Sequence, residues 1–115
     1  MTRPIVHFEI RGRDPARLRE FYTELFGWKI DASNAMGYGF IEGGEGGPAV
    51  INGGILGGDQ PRMVIYVQVA DLGETLAKAE ALGGRRVMER IDIPDRPSIA
   101  QAADPEGNII GLVQQ

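Results

Sequence analysis

At 115 residues the chain suits one domain with one core, and with no cysteine it has no disulfide, thiolate nucleophile or cysteine-based metal site. A net charge of -4 argues against sequence-independent nucleic-acid binding, which depends on clustered cations, and Arg85-Arg86 is too short a patch to reverse that. No apolar run approaches the ~20 residues of a membrane span, and Met1-Thr2-Arg3-Pro4 leads into an alternating segment instead of a signal-peptide apolar region, so a cytoplasmic protein without membrane contact is expected.

In chain order, Ile5 to Ile10 alternates with period two. Val6, Phe8 and Ile10 share one face of a half-buried strand, and His7 and Glu9 share the other. Asp14 then caps a helix that Pro15 opens, Leu18, Phe21, Tyr22 and Leu25 form its apolar stripe, and Gly27 supplies a left-handed stop. Three short strand candidates follow at Trp28 to Ala32, Tyr38 to Glu42 and Ala49 to Leu56, with a hairpin turn at Gly43 to Pro48. From Val64 the pattern repeats. Val64 to Val69 alternates and places Tyr66 and Gln68 where His7 and Glu9 stood. Asp71 caps a second helix with Glu74 at the capping-box position, Leu72, Leu76, Ala79 and Leu82 make the stripe, and Gly83-Gly84 ends it. Strand candidates at Arg86 to Ile93, Ser98 to Ala103 and Ile109 to Gln114 complete the second unit, the last two separated by the turn Asp104-Pro105-Glu106-Gly107-Asn108.

The chain therefore reads as a single domain of two modules, about 4 to 58 and about 62 to 115, each too small to bury its own sheet face alone. A ferredoxin-like fold would place two strands between its helices, whereas this chain offers three. The 17 glycines gather at 43 to 47, 53 to 58 and 83 to 84, which implies tight turns and bent strands.

Three segments, Val6-His7-Phe8-Glu9-Ile10, Phe21-Tyr22 with Leu25-Phe26-Gly27-Trp28, and Asp104-Pro105-Glu106-Gly107-Asn108-Ile109-Ile110-Gly111-Leu112, resemble the glyoxalase, bleomycin-resistance and extradiol-dioxygenase (vicinal oxygen chelate) superfamily over nearly the whole chain. The resemblance implies an α+β fold of two tandem βαβββ modules forming a curved, mostly antiparallel sheet around a cavity, and frequent homodimers. In the superfamily's enzymes it implies a divalent metal held by His and Glu from the first and last strands of each module. His7 matches the first of these ligand positions. Tyr66 stands where the second module's first-strand ligand is expected, Gly111 replaces the usual last-strand Glu, and Ile51 to Ile55 carries neither acid nor imidazole. A catalytic zinc normally has three protein ligands, and His7 with Glu9 supplies two at most. The expected cofactor is none, with a divalent metal at most weakly held.

His7 is the leading candidate for acid-base chemistry, with Glu9 two residues on to orient the imidazole. The plainer reading makes His7 a hydrogen-bonded remnant and Glu9 a solvated charge. Tyr66 and Gln68 offer a phenol and an amide for a ligand, or else close a structural hydrogen bond. Gln101 joins His7, Glu9, Tyr66 and Gln68 as a candidate ligand contact, and Gly111 leaves room for a ligand or ordered water. Ser98 is a weaker candidate. Tyr38 and Trp28 read as core or cavity wall, and Asn52 as part of a β-bulge. The glycine loop at 43 to 47 lacks the Lys-Ser/Thr and helix of a phosphate-binding loop.

The function expected on these grounds is binding of a small organic molecule in a cavity, without the superfamily's metal set, by a homodimer. The alternative is a lyase, isomerase or dioxygenase-type enzyme acting on a small carbonyl compound, with His7 as base or residual metal ligand. A subunit without a ligand, its cavity filled by side chains, is the third reading.

Overall fold

The computed structural model describes residues 2 to 44 and 50 to 114. Most of the expected turn at Gly43 to Pro48, and the start of the strand expected from Ala49, lie outside the described residues. The chain forms two compact units, one from His7 to Met63, the other from Val64 onward together with the segment up to Val6.

The first unit contains β1 (Ile5–Gly12, whose first two residues belong to the other unit), α1 (Pro15–Phe26), β2 (Ile30–Asp31), β3 (Gly39–Ile41) and β4 (Gly53–Gly57). Its strands lie in the order β1-β4-β3-β2, with β1 parallel to β4 and the other two pairs antiparallel. The second unit runs through β5 (Arg62–Val69, whose first two residues belong to the first unit), α2 (Leu72–Ala81), β6 (Arg85–Ile91), β7 (Ser98–Ala103) and β8 (Ile109–Gln114). Its order β5-β8-β7-β6, again with one parallel and two antiparallel pairs, repeats that of the first unit. Both units are therefore βαβββ modules.

Local chemistry explains both helices. Asp14 accepts from Arg17 N at 3.1 Å, Pro15 occupies the first turn, and Gly27 at φ 71° closes α1 by donating to Thr23 O at 2.8 Å. Asp71 accepts from Glu74 N at 2.8 Å, and beyond α2 Gly83 adopts φ 97° while Gly84 N donates to Ala79 O at 2.8 Å.

The expected stripes hold only in part. On α1 only Leu18 and Tyr22 join the core of Ile10, Ile41 and Ile55, together with Phe8, Trp28 and Ile30. Phe21 and Leu25 are more than half exposed. On α2, Leu72 and Leu76 are fully buried against Val69, Ala100, Ala102 and Leu112, with Ala79 alongside, whereas Leu82 is exposed at the cap. Trp28 to Ala32 and Tyr38 to Glu42 shrink to two and three paired residues, because the loop between them is held by its own side chains and not by ladder bonds.

The register corrects one expectation. In the first unit Glu9 pairs with Gly54 and Phe40 pairs with the same glycine; in the second, Tyr66 and Gln101 pair with Gly111. By this pairing Tyr66 matches Glu9, and Val64, buried in the core, matches His7. The sequence alignment was two residues out. A two-residue slip keeps every side chain on its face, so alternation alone does not detect it.

Candidate functional site

The helix-facing side of β1 carries Phe8 and Ile10, which leaves His7, Glu9 and Arg11 on the opposite face. A chain of hydrogen bonds links them. The His7 imidazole Nε2 lies 2.9 Å from the Tyr38 hydroxyl, the hydroxyl donates to Glu9 Oε2 at 3.1 Å, and Arg11 reaches Glu9 Oε1 through Nε at 2.9 Å and Nη2 at 2.8 Å. Glu9 is 5% exposed and Arg11 retains partial access to solvent. A carboxylate paired with a guanidinium has only acceptor atoms, so the Tyr38 proton points to Glu9 and its oxygen accepts from His7 Nε2–H. This sequence of donors selects the imidazole tautomer that carries its proton on Nε2.

Tyr38 comes from the loop before β3, and Asn34 sets its position. The Asn34 amide donates to Tyr38 O at 2.6 Å, and its oxygen accepts from Met36 N at 3.1 Å and Tyr38 N at 3.0 Å, while Gly37 takes φ 66° between them. The phenol ring then lies directly over Gly54, where any Cβ would collide with it. Tyr38 thus passes from the expected core or wall role to the link between His7 and Glu9. The Tyr38 hydroxyl bonds to both His7 and Glu9. The sequence signal was present in the turn-forming Ser33-Asn34-Ala35-Met36-Gly37; that the turn delivers a phenol to β1 was not legible there. Arg11 was overlooked, although it continues the alternation of His7 and Glu9.

In the second unit Tyr66 and Gln101 meet each other. Gln101 Nε2 donates to the Tyr66 hydroxyl at 3.1 Å, and both residues are at least 96% buried. The Tyr66 ring covers Gly111, so the space expected at Gly111 is taken by this phenol and not left for a ligand. Gln68 is half-buried, its backbone N donating to Pro4 O at 2.9 Å. Ser98 binds the Arg90–Asp92 pair at the surface, and Asn52 Oδ1 accepts from Gly43 N at 2.7 Å.

The donor set does not fit the superfamily's metal. Both oxygens of Glu9 are engaged, one by a cation that a metal would have to displace, and the described residues bring together no group of three His, Cys, Asp or Glu. Tyr66 or Val64, whichever is aligned with the second first-strand ligand, places no imidazole there.

The family model for the Glyoxalase/Bleomycin resistance protein/Dioxygenase superfamily matches residues 4–112, and the chain belongs to that superfamily. It is 29% identical over 117 residues to a Mycobacterium tuberculosis protein named "Putative glyoxylase CFP32", covering 92% of this chain and 43% of that protein. The chain thus spans less than half the length of the curated relatives it matches. Among solved structures, the hypothetical protein BH1468 from Bacillus halodurans C-125 superposes with a TM-score of 0.73 at 12% identity, over 100% of this chain and 96% of its own. Streptomyces coelicolor methylmalonyl-CoA epimerase in complex with 2-nitronate-propionyl-CoA gives a TM-score of 0.64 at 17% identity, over 100% and 98%. These likenesses establish the glyoxalase/bleomycin resistance fold. No helix is long and apolar enough to cross a membrane.

Proposed function

We propose that this chain is a cytoplasmic homodimer that binds a small organic molecule on the His7–Tyr38–Glu9–Arg11 face, without the superfamily's metal set. One observation carries the reading: the superfamily-type donors His7 and Glu9 are joined through Tyr38 into an oriented hydrogen-bond chain whose acid is paired with Arg11. Such a chain presents a fixed imidazole to a ligand and offers a cation little. Native mass spectrometry and elemental analysis of protein purified without a metal-affinity tag test it together. A co-purified metabolite, with divalent metal far below one ion per chain, is the expected result. Close to one ion per chain, lost in His7→Ala, would replace this reading with a metalloenzyme.

The second reading is a lyase or isomerase with His7 as base toward a small carbonyl compound. It is supported by the orientation that Tyr38 and Glu9 impose on the imidazole, the arrangement a general base requires, and by relatives whose names are those of a glyoxylase and an epimerase. Saturable turnover that vanishes in His7→Ala would establish it.

A further inference from the structure

Arg11 has a second environment besides Glu9. Together with Gly58, Asp59, Gln60 and Arg62 it lines a cavity of about 200 Å³ where β1 ends and the β4–β5 connection begins. Both walls of this cavity are anchored. Gly58 N donates to Gly12 O at 3.0 Å, Arg13 Nε donates to Asp59 O at 2.8 Å, and the Arg11 guanidinium is held by two contacts to the buried Glu9 carboxylate. The geometry of the loop is therefore set in advance of any ligand. The lining carries two guanidinium groups, Arg11 and Arg62, and one carboxylate, Asp59, and Arg11 is itself paired with Glu9. Among the described residues the Arg62 guanidinium has neither an ion-pair nor a hydrogen-bond partner, even with Asp59 in the same lining.

We infer that this cavity is an oxyanion subsite, taking the carboxylate or phosphate group of the small molecule whose remainder lies along the His7–Tyr38 face. The inference rests on the binding reading given above and adds the charge class of the ligand. Guanidinium forks match carboxylate and phosphate geometry, and charge-assisted bonds of this kind are about twice as strong as neutral ones. Size points the same way. A cavity of about 200 Å³ is smaller than the ~300 to 1,000 Å³ that drug-sized ligands occupy, so it accommodates a head group. His7 and Arg11 share a face four residues apart, roughly 13 Å along an extended strand, with Tyr38 and Glu9 bonded between them.

The test is a titration of the isotopically labelled full chain, followed by amide NMR, with sodium acetate, inorganic phosphate and, at matched ionic strength, sodium chloride. Saturable shifts at the Gly58 and Gln60 amides are expected for acetate or phosphate, with dissociation constants on the order of millimolar for so small a probe. The tighter of the two identifies the head group. Arg62→Gln, an exposed residue whose loss leaves the fold intact, should weaken the effect at least about tenfold. Shifts that do not saturate, that chloride reproduces, or that persist unchanged in Arg62→Gln would overturn the inference. Tyr38→Phe separates it from the binding reading, since it breaks the His7 chain and leaves the loop amides responsive. A co-purified metabolite that binds Arg62→Gln as tightly as the unaltered protein refutes the oxyanion subsite and leaves the binding reading standing.

Discussion

The phenolic oxygen of Tyr38 serves two hydrogen bonds at once, so its removal is felt at both ends. Tyr38→Phe leaves one oxygen of a 5%-exposed carboxylate without its donor and frees the imidazole from its selected tautomer. A buried group left unsatisfied costs about 1–3 kcal/mol, so urea denaturation should show a loss of that size, and the His7 ring resonances should report a mixture of tautomers. An unchanged midpoint and unchanged ring shifts would dissociate Tyr38 from the site. Arg11→Met strips the cation from the same carboxylate. Because Arg11 keeps partial solvent access, a cost of about 2 kcal/mol is expected, below that for a fully buried pair. The glycines beneath the two phenols are bound by shape. Gly111→Ala forces the Tyr66 ring off its seat and should cost about 1–3 kcal/mol, much of it recovered when Tyr66→Leu is added; a purely additive double mutant would show that the ring is not what the new methyl meets.

At the scale of elements, the turn between β7 and β8 carries a pH signature. Asp104 accepts from the Asn108 side chain at 2.9 Å and from the backbone N of Asn108 at 3.0 Å and Glu106 at 2.9 Å. These bonds, the Asn108 side chain foremost, hold its carboxyl below the ordinary 3.8. A depressed folded-state value means that the ionised turn contributes stability above about pH 3.8, and that the contribution fades as pH falls through the lower folded value. Asp104→Asn should therefore lower stability at neutral pH and flatten the acid limb of a stability-against-pH curve; an acid limb of undiminished steepness would count against this. The helices differ in what holds them. α2 buries Leu72 and Leu76 completely, whereas no residue of α1 is fully buried. Asp71→Ala removes one cap from a well-seated helix and should cost about 1 kcal/mol; Asp14→Ala, on a helix with weaker packing, should show the same loss as a larger drop in helix protection from hydrogen exchange.

At the scale of the molecule, the order β1-β4-β3-β2 and its repeat β5-β8-β7-β6 give the two halves one plan with different contents. The first half sets Glu9, Phe40 and Gly54 in a row where the second sets Tyr66, Gln101 and Gly111. The His7–Tyr38–Glu9–Arg11 chain lies in the first half, and the matching positions of the second hold a hydrogen-bonded Tyr66–Gln101 pair. Substitution of that pair should act on stability and leave ligand binding at His7 intact, a division that calorimetric binding to Gln101→Leu and Tyr38→Phe would expose. Sedimentation at micromolar concentration tests the homodimer, with twice the 12.5 kDa chain mass expected and a lone monomer counting against it.

The sequence by itself determined what is written locally. The caps at Asp14 and Asp71, the stop at Gly27, the turn at Asp104 to Asn108 and the period-two faces of β1 and β5 depend on residues a few positions apart, and both β7 and β8 were read to their ends. The duplication was legible because each of these signals occurs twice in the same order. Tertiary structure decided everything that depends on which strands become neighbours. Alternation is blind to a slip of two residues, so only the pairing of β5 with β8 shows that Tyr66 matches Glu9. Only the return of the loop through Asn34, 29 residues after Glu9 in the case of Tyr38, brings a phenol between an imidazole and a carboxylate that share one strand. Whether a glycine leaves a space or seats a ring is likewise a matter of its neighbours across the sheet, and at Gly54 and Gly111 those neighbours are tyrosines.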